Sequence, residues 1–311
     1  MEFGLMVEPQ FGGTYKELLA VARSAESAGF TSFARSDHYL NGDKSMPATD
    51  ALTTLAGLAR ETDTIKLTVL VTPLTFRHPA VIAKTATTLD EMSGGRFELG
   101  VGTGWMEGEH RVFGIQLPEL RTRFSLLFET LAYIHAVFGR SDGGYTGRHH
   151  RLDDVDVLPH PISQLPIIIG GSGMKRTPQI AGRFADEYNM FACNAEDLAA
   201  RIEVMTATAR EIGRDPSSIK VSIMSPVLVG EDEPEYRDVL GEAAAERNTD
   251  PDEFETRLAE HRVLHGTYEQ VAETVTQYSA QGVGRIYFQH LSPLADINMA
   301  RAANLLSALS G

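Results

Sequence analysis

The sequence predicts an α/β protein, a (β/α)8 TIM barrel carrying two insertions, and three observations lead there. Strand and helix signals alternate eight times along the chain. The strands are short and apolar throughout, as parallel strands covered by helices on the outside are. The 311 residues hold the roughly 250 of such a barrel with room for insertions.

The elements follow in order. Phe3 to Val7 has strand character, and Tyr15 to Ala28 is a helix closed by Gly29. Ser32 to Ser36 is the second strand, Asp50 to Glu61 the second helix and Ile65 to Val71 the third strand. Pro79 opens the third helix, because proline lacks the amide hydrogen that a first turn leaves unpaired, and Val81, Ile82, Ala86, Leu89 and Met92 recur near helical spacing. Gly94 and Gly95 end it, and Phe97, Leu99 and Val101 mark strand four by their two-residue period. Leu120 to Phe138 is a long helix whose Phe124, Leu127, Phe128, Leu131 and Ile134 form a core stripe. Strands at Ile167 to Ile169 and Tyr188 to Ala192 alternate with helices at Met174 to Phe184 and Glu196 to Ile212. Ile219 to Val229 and Arg285 to His290 complete the barrel, with helices at Tyr268 to Gln281 and Asp296 to Leu309. Residues 141–164, with paired glycines, paired histidines and two prolines, form one excursion, and the charged, helical stretch 231–262 forms the other. No linker composition divides the chain, so a single domain over 1–311 is expected.

Composition narrows the function classes. Lys plus Arg number 28 against 42 Asp plus Glu, a formal charge of −14 that opposes binding to nucleic-acid phosphates or anionic membranes. Cys193 is the one cysteine, which excludes an intrachain disulfide and a cysteine-rich metal site. The start of the chain lacks the basic segment and apolar core of a signal peptide and no apolar run approaches 18 residues, so a cytoplasmic location is expected.

The stretch Pro73 to Trp105 is the richest in chemistry: a strand end, a helix, a glycine stop and a strand running into Gly102-Thr103-Gly104 at its carboxyl end. Small residues there let a planar ligand lie against the backbone, and that end is where barrel enzymes bind. A second glycine run, Gly170-Gly171-Ser172-Gly173, follows an apolar strand and leads through Met174 into a helix, so its amides and the helix's positive end can face a phosphate, with Lys175 and Arg176 adding charge. An ordinary turn that uses glycine for close packing is the alternative. Asp37-His38 ends strand two on the same face; the histidine can exchange protons near neutral pH, and an adjacent carboxylate raises its basicity. The alternative is a turn-capping aspartate beside a solvated histidine. Trp105, Glu107, Glu109 and His110 are candidates for the pocket mouth, although Glu107 and Glu109 on a turn also fit a solvated face, and Glu109 fits an orienting role. His149, His150 and His160 lack partner carboxylates at ligand spacing, so no metal site is expected.

Taken together, Arg77-His78-Pro79, Ala83-Lys84, Leu89-Asp90, Ser93-Gly94-Gly95-Arg96 and Gly100-Val101-Gly102-Thr103-Gly104-Trp105 resemble the luciferase-like monooxygenase superfamily. Within it they are most similar to the branch using the 8-hydroxy-5-deazaflavin coenzyme F420. The resemblance runs from Met1 to about Phe191 and more loosely to the end. It implies a bacterial luciferase-like barrel acting as an F420-dependent oxidoreductase, which moves a hydride between the deazaflavin and a small organic substrate. An FMN-dependent monooxygenase is the alternative, and a non-catalytic flavin-binding barrel or a metal-free isomerase or lyase stands outside both. It implies a homodimer as well. The matched motif Ser36-Asp37-His38-Tyr39 implies that Asp37 and His38 lie at the cofactor, with His38, Asp37 and Glu109 the catalytic candidates. Similar enzymes carry a non-proline cis peptide in a bulge behind the ring. Alignment on Thr72-Pro73 puts it at Val69-Leu70, making Val69, Leu70, Val71 and Thr72 cofactor neighbours with Gly102 to Gly104 and Gly170 to Met174. The related deazaflavin-dependent glucose-6-phosphate dehydrogenases have glutamate where this chain has Trp105, which argues against sugar-phosphate oxidation. Specificity is expected in the Asn41 to Thr49 loop and the Glu231 to Arg262 insertion.

Overall fold

Eight parallel strands close into a barrel in the computed structural model, which describes residues 1–41 and 46–310. The order around it is β1 (Glu2–Val7), β2 (Ser32–Arg35), β3 (Lys66–Pro73), β4 (Phe97–Gly102), β7 (Ile167–Gly170), β8 (Glu187–Phe191), β9 (Lys220–Gly230) and β11 (Val283–His290), the last pairing with β1. Helices α1 (Tyr15–Ala28), α2 (Ala51–Glu61), α3 (Pro79–Ser93), α5 (Leu120–Val137), α6 (Arg176–Phe184), α7 (Ala195–Glu211) and α10 (Tyr268–Ala280) return the chain from each strand to the next, and α11 (Met299–Ser310) follows the last.

Local chemistry fixes the helix ends. Thr14 and Glu17 form a reciprocal capping box at the start of α1, and Asp50, expected inside α2, instead caps it by accepting from the Thr53 amide at 2.8 Å. Pro79 occupies the first turn of α3, and Gly94 ends it in the left-handed conformation, φ 67°.

Strand alternation separates two cores. Leu5, Phe33, Leu67, Leu99, Ile169, Ile223 and Phe288 point outward under the helices, in one continuous apolar layer. Met6, Ala34, Leu70, Ile168, Met224 and Tyr287 fill the middle of the lumen, with Val71 against them. Below this plug, at the amino ends of the strands, lies a buried charge network. Arg285 reaches Glu98 and Glu2 at 2.7 Å and Glu187 at 3.0 Å, and Lys220 reaches Glu2 at 2.6 Å. Above it, at the carboxyl ends, is a polar floor: Gln289 donates to Glu8 at 2.6 Å, Gln10 to Glu8 at 2.7 Å and Ser36 to Gln10 at 2.8 Å. The lumen is thus polar at both ends and sealed between them, so chemistry belongs to the carboxyl rim.

Secondary structure of their own lies within both stretches, 141–164 and 231–262. The first carries a two-residue hairpin, β5 (Tyr145–Thr146) with β6 (Arg151–Leu152); the second carries α8 (Glu233–Glu246) and α9 (Pro251–Glu260) over a small core of Tyr236, Leu240, Ala244, Phe254 and Leu258. Several details differ from expectation. β10 (Leu264–Thr267) extends the sheet beside the upper half of β9, and α4 (Glu107–Phe113) replaces the turn expected at Glu107 to Glu109. α6 starts two residues later than expected, and Phe128, on the predicted core stripe, is exposed.

Candidate active site

The rim begins at the end of β2, where the chain leaves the barrel as Asp37, His38 and Tyr39. Asp37 has no exposed side-chain surface and ion-pairs with Arg77, which also pairs with Asp50. Arg77 further donates to the Tyr39 hydroxyl at 2.8 Å and to Thr72 Oγ1 at 2.9 Å, and the Tyr39 hydroxyl donates to Asp50 at 2.9 Å. Burial opposes the Asp50 charge, but the Thr53 amide and Arg77 outweigh it and hold the carboxyl at about 2. The same burial, with the Asp37 charge, pushes the Tyr39 phenol up. Asp37 and Thr72 both meet Arg77, which locks the loop after β2 to the end of β3.

His38 has a different partner from the adjacent aspartate. Its Nδ1 lies 3.0 Å from Glu109 Oε2, and Glu109, 1% exposed, also accepts from the Leu40 amide at 3.2 Å and from the Tyr39 amide. A carboxylate only accepts, so Nδ1 carries the proton toward Glu109, and Nε2 is left without a hydrogen-bond partner among the described residues. Burial disfavours the imidazolium, but the Glu109 hydrogen bond and charge exceed that effect and raise the His38 pKa above 6.5. Trp105, 67% exposed, meets the imidazole edge-on with ring centroids 5.5 Å apart. Glu109 thus orients His38 and the loop. Glu107 is exposed, and His110 is buried, its Nδ1 donating to the Met106 carbonyl at 2.8 Å and its Nε2 2.7 Å from Thr75 Oγ1.

The β3 bulge sits one residue later than expected. The cis peptide is Leu70–Val71, not Val69–Leu70, and the pairing of β3 with β4 shifts between Val69 and Thr72. Alignment from Thr72-Pro73 alone fixes a strand end but not the register of its bulge. Val69 packs in the outer apolar layer, while Leu70 and Val71 turn to the lumen. The glycines have a related explanation that differs from ligand access. A Cβ on Gly102 would lie 2.6 Å from Val71 Cγ2, one on Gly170 2.9 Å from Val71 Cγ1, and one on Gly100 2.1 Å from the Val69 carbonyl oxygen. These three glycines make room for β3. Thr103 and Gly104 remain half-buried at the rim, where the Gly104 carbonyl accepts from Arg123.

Beyond β7, Gly171 takes φ 150°, and Ser172, Gly173 and Met174 are exposed. A Cβ on Gly173 would lie 2.8 Å from Thr177 Oγ1, and no side chain caps the first turn of α6. Its unpaired amides can therefore meet an anion. Lys175 is exposed, whereas the Arg176 guanidinium lies 5.5 Å from the Phe124 ring centre, on the outer wall.

Sequence reasoning placed the rim segments but missed the Arg77 clamp, the His38–Glu109 pairing and the Glu8 floor. Arg77 stood within the quoted motif, yet nothing in spacing paired it with Asp37, 40 residues away. The Asn41 to Thr49 loop includes residues 42–45, which lie outside the described residues; within its remainder, Thr49 Oγ1 accepts from buried Arg35 at 2.9 Å. Among the described residues no three His, Cys, Asp or Glu side chains converge as metal ligands, and no helix is long and apolar enough to cross a membrane.

The fold agrees with comparisons to known proteins. Residues 1–285 match the family model for luciferase-like monooxygenases, and the chain belongs to that family. It is 36% identical over 183 residues to an F420-dependent glucose-6-phosphate dehydrogenase of Nakamurella multipartita, covering 58% of this chain and 52% of that protein. It is 31% identical over 208 residues to the pyrimidine monooxygenase RutA of Stutzerimonas stutzeri, covering 62% and 57%. The chain thus spans about half the length of these curated relatives. Among solved structures, an F420-dependent secondary alcohol dehydrogenase in complex with an F420-acetone adduct superposes with TM-score 0.81 at 20% identity, covering 99% of this chain and 98% of that one, which supports the barrel fold. The relatives include both F420-dependent enzymes and monooxygenases named as FMNH2-dependent.

Proposed function

We propose that this protein is an F420-dependent oxidoreductase acting on a small organic substrate. The observation that carries the reading is His38: Nδ1 fixed by a buried carboxylate and Nε2 open at the carboxyl rim. The residues present fit a phosphorylated flavin-like group, since the uncapped first turn of α6 and the Ser172–Gly173 end of the glycine loop offer amide donors at that rim, the Gly171 amide being bonded to the Asn189 carbonyl at 3.3 Å. That loop would take the phosphate, with Leu70, Val71 and Thr103 bordering the ring. When bound, the deazaflavin supplies a hydride acceptor or donor, chemistry that no side chain of this protein provides. His38 holds or releases a proton at Nε2, Glu109 keeps the imidazole in the tautomer that permits this, and Trp105 screens the site from water. The same coenzyme is named for a relative sharing 36% identity over 183 residues.

Titration of the purified protein with F420 and with FMN, followed by absorbance, tests the reading. Saturable F420 binding in the micromolar range or tighter is expected, about −8 kcal/mol. Equal or tighter FMN binding without a saturable response to F420 would replace it with an FMN-dependent monooxygenase.

The Glu109→Gln variant tests the positioning role. Removing the charge leaves burial dominant at His38, so the imidazole loses its proton at lower pH than in the wild type. The pH–rate limb belonging to His38 should move down, with turnover falling roughly tenfold, about 1.4 kcal/mol of barrier. An unmoved limb would leave Glu109 as an anchor for the Tyr39 and Leu40 amides alone.

A further inference from the structure

A cleft of about 600 Å³ lies outside the barrel between α5 and α6, and its lining is opposite in sign to the molecule. Arg121, Arg148, Arg176 and Arg183 all face it, against one acid, Glu211, in a chain of net charge −14. Among the described residues none of these four guanidinium groups forms an ion pair or hydrogen bond. Two are held by aromatic rings instead: Arg176 is 5.5 Å from the Phe124 ring centre and Arg183 is 5.7 Å from that of Phe128. Such stacking orients a guanidinium while leaving its five donors free.

Spacing explains how the sequence builds the cleft. Arg176 and Arg183 are seven residues apart and so share one face of α6, while Arg121, Phe124 and Phe128 follow at three and four residues along α5. This accounts for Phe128 being exposed where the core stripe predicts burial. Arg176 and Arg183 are separated by roughly 10 Å along the helix, beyond the span of one phosphate group.

We propose that this cleft binds an oligoanion, a ligand presenting two or more phosphate or carboxylate groups along its length. Two sources carry that chemistry: a free oligoanion in solution, or the anionic end of a cofactor longer than FMN whose phosphate lies on the glycine loop, since Arg176 opens α6 directly after it. The cleft's chemistry is independent of which flavin the barrel takes.

Calorimetric titration of the full chain with tripolyphosphate at low salt is the test. Saturable binding that weakens as salt rises is expected. The Arg121→Ser/Arg148→Ser double variant, altered at two exposed side chains, should keep its melting temperature and bind at least tenfold more weakly. Arg183→Gln should weaken binding too, at the far end from the glycine loop. Absence of saturable binding in the wild type, or unchanged affinity in these variants, would overturn the proposal. Repeating the titration with the protein saturated by each cofactor separates the sources: blockade by F420 but not FMN identifies the cofactor's own end, and retention with both identifies a free oligoanion. Blockade by FMN as well would mean that tripolyphosphate occupies the glycine loop, and the proposal fails.

Discussion

Arg285→Met is expected to lower the unfolding free energy by about 3–5 kcal/mol, the scale of breaking a buried ion pair by removing one partner. Arg285 is fully buried and is shared among Glu98, Glu2 and Glu187, with Tyr287 accepting a further hydrogen bond at 2.6 Å. Methionine fills similar volume but leaves Glu98 and Glu187 facing each other without their shared cation. Glu2 retains Lys220 and lies near the surface, so it suffers less. Burial opposes the Glu98 charge, yet Arg285 outweighs it and holds the pKa below 4.5; Glu187 is raised by burial, against Arg285 and with the Glu98 charge. Because Glu98 is lowered, its share of wild-type stability is present above pH 4.5 and disappears as pH falls through the lowered value. In the variant Glu187, and Glu98 with only Lys66 at 3.8 Å as a remaining counter-ion, gain by protonation as pH falls. The gap between the two proteins, measured by denaturant unfolding, should therefore be widest near neutral pH and narrow on acidification. A gap below about 1 kcal/mol at pH 7 would mean that the network is nearly neutral in stability.

His38→Ala should reduce turnover roughly a hundredfold, the usual scale for losing a positioned acid or base, with little change in cofactor affinity. The fold should tolerate it, because Glu109 keeps its acceptor contacts with the Tyr39 and Leu40 amides when the imidazole is gone. Steady-state kinetics and a cofactor titration on the same preparation separate the possibilities. Near-normal turnover with weakened cofactor binding would make His38 a ring contact and transfer the proton to water.

Much of this architecture is legible in the chain because regular elements repeat a signal. α1 was readable to the residue from its stripe and Gly29, and α3 from Pro79 and Gly94. Short elements lack that redundancy. α4 has seven residues and two acids in its first turn, and the four residues of β10 follow directly on a charged insertion. Site geometry is harder still. His38 and Glu109 lie 71 positions apart, joined by two loops whose meeting depends on the barrel's closure. The inward polar residues did leave a trace: Glu98 alternates with Phe97 and Leu99, and Arg285 precedes Ile286, a parity that separates lumen from outer layer once the barrel is assumed.

Val71 gives three strands a common dependence. Its branched side chain fills the space that side chains at Gly102 and Gly170 would take, and the neighbouring Val69 carbonyl does so at Gly100. Substitutions at these positions are therefore coupled sterically. Alanine at Gly102 becomes tolerable only after Val71 has shrunk, and a larger residue at 71 is barred while β4 and β7 keep their present separation. Anyone reshaping this rim for a new substrate would have to reduce residue 71 before enlarging 102 or 170, and would have to leave Gly100, which faces a backbone carbonyl, as glycine.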